Sequence, residues 1–395
     1  MKRDELSHEV RQRLKRLPEP FQAHYGVVPL PPPENAVIIP GGRKLSEADT
    51  ALAKVETLAT ELKDPWLISR ILPRREAVSS SSIEGTNSTL DELLSIEETG
   101  STESSDAAVQ VRDYALALDD FVPRAQEEKS EIFTVGLVQD LHRIVMRGDS
   151  DYKDNPGNLR TRVVWIGGAG NIAYSTYNPA PPGDIAACLE ETMAYMRGEG
   201  MQVMNQNLTV RMAIAHAHFE AVHPFRDGNG RVGRLLLPLM MAAEGRMPLY
   251  LSPYIEAHKG SYYASLKAAQ QRLEWHEAAA FIADAITGSA NELIVTREAL
   301  SKLGDLWRAR RKFRQGSGAF NSLDVLPHYP VLTAKRLSDI LKVSIPAATQ
   351  AVDQLVEAGM LTERTGYARN RIFAADEALT IINRPFGELP ILPEA

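Results

Sequence analysis

The chain is short of cysteine, of net charge and of long apolar runs, and each shortage removes a class of protein. Cys188 is the only cysteine in 395 residues. No internal disulfide can form and no cysteine-based metal site is expected, which fits a reducing, cytoplasmic setting. Lysine and arginine number 44 against 51 aspartates and glutamates, a formal charge of −7. That balance argues against a chain dominated by nucleic-acid binding, although a local basic patch is compatible with it. No run approaches a membrane span, and the opening MKRDELSHEV lacks the apolar core of a signal peptide. What remains is an ordinary soluble composition, 44% hydrophobic and 24% charged, with length enough for two or three domains.

The pattern along the chain is mostly helical. Residues 19–42 are rich in proline and read as an extended or looped arm. Ala51, Leu52, Val55, Leu58 and Leu62 recur at helical spacing, and a second helix is expected over Pro65–Ile83, stopped by Gly85. A charged, serine-rich break (EETGSTESSD) precedes a long helical stretch from Ala107 to Gly288. One segment departs from it. Arg162–Ile166, then Gly167–Gly170, then Ile172–Tyr174 predict a β-hairpin, as a clamp over a ligand or as packing against the helices. Residues 305–316 read as a basic linker helix with a glycine break. Beyond Leu326, a helix capped by Thr333, a turn at Val343–Ser344 and a helix over Ile345–Glu357 lead into two short strands joined through Gly366. That is a winged-helix pattern.

The chemistry concentrates in His223-Pro224-Phe225-Arg226-Asp227-Gly228-Asn229-Gly230-Arg231-Val232-Gly233-Arg234. Pro224 stops the preceding helix, so His223 sits at a helix end, mostly neutral near pH 7 and able to accept a proton. Phe225 reads as a buried anchor for the loop. Asp227 is a hard oxygen donor of the kind Mg²⁺ uses when nucleotide phosphates fill its other positions. Gly228-Asn229-Gly230 lets backbone N–H groups converge on an anion at the start of a helix. Arg231 and Arg234, three apart on that helix, are expected on one side and suited to phosphate. His216 and His218, on an apolar helix, read as core residues.

This run resembles the Fic motif His-x-Phe-x-Asp/Glu-Gly-Asn-Gly-Arg-x-x-Arg without a mismatch. Pro156–Arg160 and Trp165-Ile166-Gly167-Gly168 resemble the approach to the family's flap hairpin. Tyr250-Leu251-Ser252 and Tyr262-Tyr263 resemble the helices that close its nucleotide pocket. Ser80-Ser81-Ser82-Ile83-Glu84-Gly85 is similar to the inhibitory motif Ser/Thr-x-x-x-Glu-Gly/Asn. The resemblance implies a mainly helical Fic fold with a β-hairpin flap, followed by the winged helix-turn-helix domain. The expected segments are an N-terminal helical region with the inhibitory helix over 1–106, the catalytic core over 107–288, a linker helix over 289–325 and the winged helix over 326–395.

The same resemblance implies a protein adenylyltransferase. It would transfer AMP from ATP to a Ser, Thr or Tyr hydroxyl of a target protein, possible self-modification included, with release of diphosphate. His223 is then the base and Asp227 the Mg²⁺ ligand. Gly228, Asn229, Gly230, Arg231 and Arg234 hold the phosphates, Ile166, Gly167 and Gly168 form the flap, and Tyr262 and Tyr263 line the base or ribose. Glu84, with Ser80 and Gly85, would hold Arg234 away from the γ-phosphate. Gly230 separates this chain from the family's kinase relative, which has lysine there. Two rivals stay open: removal of AMP by the same site, and a DNA-binding regulator acting through the winged helix. The helix Ile345–Ala358 lacks Lys and Arg and carries Asp353 and Glu357, which suits the DNA groove poorly. The basic residues lie in the wing (Arg364, Arg369, Arg371) and the linker. A homodimer is left open and no membrane association is expected.

Overall fold

A computed structural model describes residues 1–34, 42–61, 70–100, 105–201, 207–365 and 371–394, and the statements below concern these residues. The chain folds as α1 (His8–Gln12), β1 (Leu14–Arg16), β2 (Tyr25–Val27), α2 (Gly42–Glu61), α3 (Ile71–Ile83), α4 (Leu90–Thr99), α5 (Asp106–Glu128) and α6 (Val135–Met146). It continues as α7 (Ile185–Arg197), α8 (Leu208–Val222), α9 (Asn229–Ala243), α10 (Ser252–Ala257), α11 (Lys259–Arg272) and α12 (Trp275–Arg310). The C-terminal part is α13 (Gly318–Val325), β3 (Val331–Thr333), α14 (Ala334–Leu341), α15 (Ile345–Glu357), β4 (Thr362–Glu363), β5 (Ile372–Ala374) and α16 (Asp376–Asn383). The fold is mainly helical.

Helix after helix starts where a short polar side chain accepts the backbone N–H three residues on. Thr89, Ser105, Thr134, Asn207, Ser317, Thr333 and Ser344 all do so, each satisfying one of the donors a helix start leaves orphaned. Between these starts the apolar spacing decides depth. α8 is buried from Thr209 to Val222 and α9 is buried through Pro238 to Ala243. Helices apolar all round belong at the centre of a bundle. The two are consecutive, so the short loop between them, residues 223–228, is held at both ends by the core.

α12 packs along α2, α8 and α11, then carries the chain into the C-terminal lobe. It is long and apolar enough to span a membrane, which the sequence reading did not anticipate. More than half of its most apolar window is buried in the bundle, the environment of a core helix. It also runs without a break through 288–289, so the expected linker helix is the second half of a core helix. It ends at Arg310, ahead of the anticipated glycine break.

The C-terminal lobe pairs β3, β5 and β4 in that order, all antiparallel, with Val331 and Thr362 both opposite Ala374. The sequence pattern missed β3, which adds the third strand. Gly366 and Arg369 lie outside the described residues, as do 35–41 of the proline-rich arm, Leu62 at the end of the first expected helix and 65–69 of the second. That helix is described from Ile71 onward. Within the arm, Tyr25–Val27 pairs with Leu14–Arg16 as a small sheet. α4 packs on β3, and Arg336 of α14 pairs with Glu98 of α4.

The hairpin after Arg162 is shorter than expected. One bridge joins Ile166 to Tyr177, and Ile172–Tyr174 is a single turn of 3-10 helix. Gly167, Gly168, Ala169 and Gly170 all have positive φ. Four left-handed residues in a row make a wide turn and delay the return of the chain by several residues.

Candidate active site

His223 closes α8 in the left-handed region, with φ +50°. That conformation is uncommon for a residue with a side chain, and it turns the loop sharply out of the helix. Arg160 holds the turn from below. Its guanidinium donates to the carbonyls of His223, Val222, Ala180 and Arg162, and its backbone N–H donates to Pro224. Burial without a carboxylate partner lowers the Arg160 pKa to about 10.

Phe225 is fully buried, as expected, stacked on His142 with ring centroids 3.7 Å apart. His142 accepts the Gly157 N–H at Nδ1, so its Nε2 donates to the carbonyl of Asp227. Burial draws the His142 pKa down to about 4, which keeps that neutral tautomer. The Asp227 backbone is therefore fixed while its side chain stays exposed, with one carboxylate oxygen accepting the Gly228 N–H at 2.6 Å. Gly228 has φ +76°, and a Cβ there would collide with Met146.

Two residues expected on the phosphates point elsewhere. The Asn229 side chain accepts from the Phe225 N–H at 2.8 Å and donates to the Phe225 carbonyl at 2.9 Å, so it clamps the loop instead of facing a ligand. Its backbone N–H at the helix start is what remains for an anion. Arg231 reaches away from Arg234, donating to Gln110 and to the Met146 sulfur. Both arginines start from one helix side, but the long stems diverge into different neighbours. Arg231 is buried with no carboxylate in ion-pair range among the described residues.

Arg234 is 1% exposed and donates to the Ser80 hydroxyl and carbonyl, each at 2.9 Å, and to the Glu84 carboxylate at 2.7 Å. Glu84 caps the end of α3, and Gly85 (φ +88°) turns the chain away. Burial alone would raise the Glu84 pKa, but Arg234 outweighs it and holds the carboxyl below its usual range. A Cβ on Gly230 would overlap the Glu84 carboxylate, so glycine there is what admits the glutamate.

Ile166, His223, Gly230, Arg234, Tyr262, Tyr263 and Glu84 line one cleft of about 530 Å³. Gly167 and Gly168 lie in the turn beyond its wall. Tyr262 is buried and donates its hydroxyl to His216, whose Nδ1–H donates to the Gly233 carbonyl, while Tyr263 is half-exposed. His216 is thus a satisfied core residue, and His218, bonded to Thr192, is buried in the same way.

Sequence reasoning missed one acid in this cleft. Glu220 is 7% exposed, its Oε1 has no partner, and its Oε2 lies 3.9 Å from His223 Nδ1. Burial pushes its carboxyl up to about 7, against the pull of Arg234. Its position one turn before His223 was the available signal, along with its place on an otherwise apolar helix. Burial also takes the His223 pKa down to about 4, with Arg160 adding to the fall and Glu84 opposing it. The imidazole is neutral at pH 7.

Residues 42–120 match the family described as Fic/DOC family N-terminal, and residues 132–241 match the Fic/DOC family. The likeness to the Fic/DOC family thus covers residues 42–120 and 132–241, a little under half of the chain. The protein adenylyltransferase fic-1 of Caenorhabditis briggsae is 34% identical over 143 residues, 36% of this chain and 25% of that protein. The protein adenylyltransferase Fic of Drosophila erecta is 29% identical over 192 residues, 48% of this chain and 35% of that protein. That of Culex quinquefasciatus is 26% identical over 232 residues, 58% and 42% respectively. The chain therefore spans between a quarter and about two-fifths of the curated relatives it matches. The fold extends the likeness past the Fic domain. A Fic family protein from Desulfovibrio desulfuricans G20 superposes with a TM-score of 0.54 at 19% identity, covering 88% of this chain and 98% of that one.

Proposed function

We propose that this chain is a protein adenylyltransferase held in check by its own Glu84. The observation that carries the reading is the shared cleft: a neutral imidazole, a buried arginine and the start of α9 around one space, with Glu84 on the arginine. ATP is the nucleotide substrate. His223 takes the proton from a target hydroxyl as its oxygen bonds to the α-phosphorus and the bond to diphosphate breaks. The proton ends on the imidazole and the diphosphate carries away the electron pair. A pKa near 4 keeps the ring free to accept at neutral pH, and the negative nucleotide raises that basicity when it binds. The backbone N–H groups at the start of α9 face developing charge, a kind of contact worth about 2.7–4 kcal/mol in comparable anion holes.

Arg234 is the residue for the γ-phosphate. Glu84 occupies the same guanidinium edge, and a charge-assisted contact is strong enough to compete there. Among the described residues no three His, Cys, Asp or Glu side chains gather as a resident metal site. Asp227 is a single exposed hard oxygen, which fits Mg²⁺ arriving with its nucleotide, since that ion keeps waters and phosphate oxygens as its other ligands. Asp227 would hold the ion, which supplies charge neutralisation at the phosphates.

The C-terminal lobe is read as a winged helix that serves protein contacts, because no cation lies on α15 and the described wing arginines are paired with acids. The buried, unpaired Cys188 supports a cytoplasmic setting.

The test is transfer of label from α-phosphate-labelled ATP in host lysate. Glu84→Gly should label target protein at least about tenfold more than wild type, the yield of releasing one charge-assisted contact. His223→Ala should label nothing. Equal labelling by wild type and Glu84→Gly would overturn the restraint. Release of AMP from pre-modified protein, without labelling, would assign the reverse reaction.

A further inference from the structure

A second cavity, about 470 Å³, lies at the other end of the inhibitory helix from Glu84. Its walls come from the first turns of α3, from the middle of α12 and from the C-terminal lobe at Leu323 and His328. The volume is that of an ordinary small-molecule site. Leu72, Leu293, Leu300 and Ile382 make its surface mainly apolar.

The charge around it is unbalanced. Arg75 of α3 lies 3.5 Å from Glu292, but the same glutamate is nearer to Arg384, at 2.8 Å. One carboxylate thus serves two guanidiniums, and burial lowers the pKa of Arg75. Arg297 and Lys302, also on the wall, have no carboxylate in ion-pair range among the described residues. The acids at the rim are Glu298 and Asp324, and Asp324 is taken by Arg308. A mainly apolar cavity with surplus cation on its wall, Arg297 half-buried and Lys302 exposed, calls for an anion with an apolar body.

We propose that this cavity binds a small amphipathic anion, its head on Arg75, Arg297 and Lys302, and that binding reinforces the inhibited state; the regulatory half rests on the reading of Glu84 given above. The sign follows from linkage. The cavity is formed in the conformation that seats Glu84 on Arg234, so a ligand fitted to it favours that conformation. A ligand that binds that conformation alone, at 100 times its dissociation constant, shifts the balance by roughly a hundredfold. The handle is α3 itself, since the ligand touches Leu72 and Arg75 on the helix that ends in Glu84.

The probe is 8-anilinonaphthalene-1-sulfonate on the full chain, with its neutral counterpart N-phenyl-1-naphthylamine. The sulfonate should bind one saturable site at least about tenfold more tightly than the neutral dye. Leu300→Trp, which fills the cavity, should abolish binding, and Arg297→Gln with Lys302→Gln should weaken the sulfonate alone by about tenfold. Occupancy should slow amide exchange over residues 71–84 and further lower AMP transfer by wild type but not by Glu84→Gly. Equal affinity for the two dyes, or sulfonate binding unchanged in the Gln pair, would overturn the anion site. Binding with no change in exchange at 71–84 would overturn the coupling. Exchange is read without turnover, so failure of the adenylyltransferase reading would appear separately, as absent labelling beside slowed exchange.

Discussion

Arg234 in the cleft and Arg371 in the wing both meet a glutamate, and the two contacts do different things. Arg234 is 1% exposed and surrounded by Ser80, Glu84 and the start of α9. Arg371 has a side chain 37% exposed, is bonded to Glu363 and lies 3.9 Å from Asp353. In the cleft a desolvated guanidinium has one carboxylate in ion-pair range among the described residues, beside the open space of the cleft. In the wing, water and a second acid stand ready. On the function proposed above, the same residue pair is a switch in one region and local neutralisation in the other.

The sharpest way to break this contrast is to remove single groups from the buried region. His223→Ala in the Glu84→Gly background should lower AMP transfer by about 10²–10⁴, the usual yield of a positioned base. Initial rates against ATP would show it. A loss under tenfold would mean that the imidazole is not the base.

The next effect is on stability against pH. Glu76 of α3 is 1% exposed and accepts from the Ser252 N–H and hydroxyl and from Tyr114. Burial, partly offset by those bonds, pushes its carboxyl from 4.5 up to about 7. A raised carboxyl pKa means that the folded state holds the proton more tightly. The stability it contributes is present below 4.5 and is lost as pH rises through about 7. The fall is on the order of 3 kcal/mol at most. Glu220 shares the direction, while His142, His216, His218 and His223, whose pKa burial lowers, oppose it over the same range, so the effect of Glu76 is read as the difference in slope between Glu76→Gln and wild type. Urea unfolding at pH 5 and 7.5 measures the slope, and an unchanged slope in Glu76→Gln would reassign the buried acid.

How much of this was legible is itself a lesson about distance along the chain. His223, Asp227, Gly230 and Arg234 sit in twelve residues, and Glu84 beside Gly85 carries a short motif of its own. Local spacing was enough to single those out, and the structure brings His223, Gly230, Arg234 and Glu84 to one cleft. Arg160, His142, Glu220 and Glu76 gain their roles from partners that the fold brings together, up to 176 residues away for Glu76 and Ser252. No spacing rule finds them. Asn229 and Arg231 show the other side of this. The pattern put both on a ligand, but Asn229 is claimed by Phe225 four residues back, and Arg231 by Gln110 and Met146. The hairpin forms, but it returns later than the spacing suggested: the left-handed run at 167–170 and a 3-10 turn at Ile172–Tyr174 move the pairing with Ile166 on to Tyr177.

A smaller effect separates the two arginine contacts directly. Glu84→Gly leaves Arg234 buried with only Ser80, and should cost about 1–3 kcal/mol of unfolding free energy. Arg371→Ala should cost about 0.2–1 kcal/mol, the worth of an exposed pair. Matching losses would erase the distinction between switch and surface pair.

The smallest expected effect is also the one that tests the wing. Arg364 pairs with Asp376 and lies 3.8 Å from Asp91, and Arg371 pairs with Glu363, so their charge is already answered within the lobe. α15 presents Asp353 and Glu357 to solvent and no cation. Binding of duplex DNA draws its affinity from phosphate contacts, each adding roughly 0.9 to the slope of log affinity against log salt. The wild-type chain should therefore retain no duplex at submicromolar concentration, with or without Arg364→Ala and Arg371→Ala. Retention that weakens with salt, and whose slope falls by nearly two in the double variant, would make those arginines phosphate ligands and put DNA ahead of protein as the partner of this lobe.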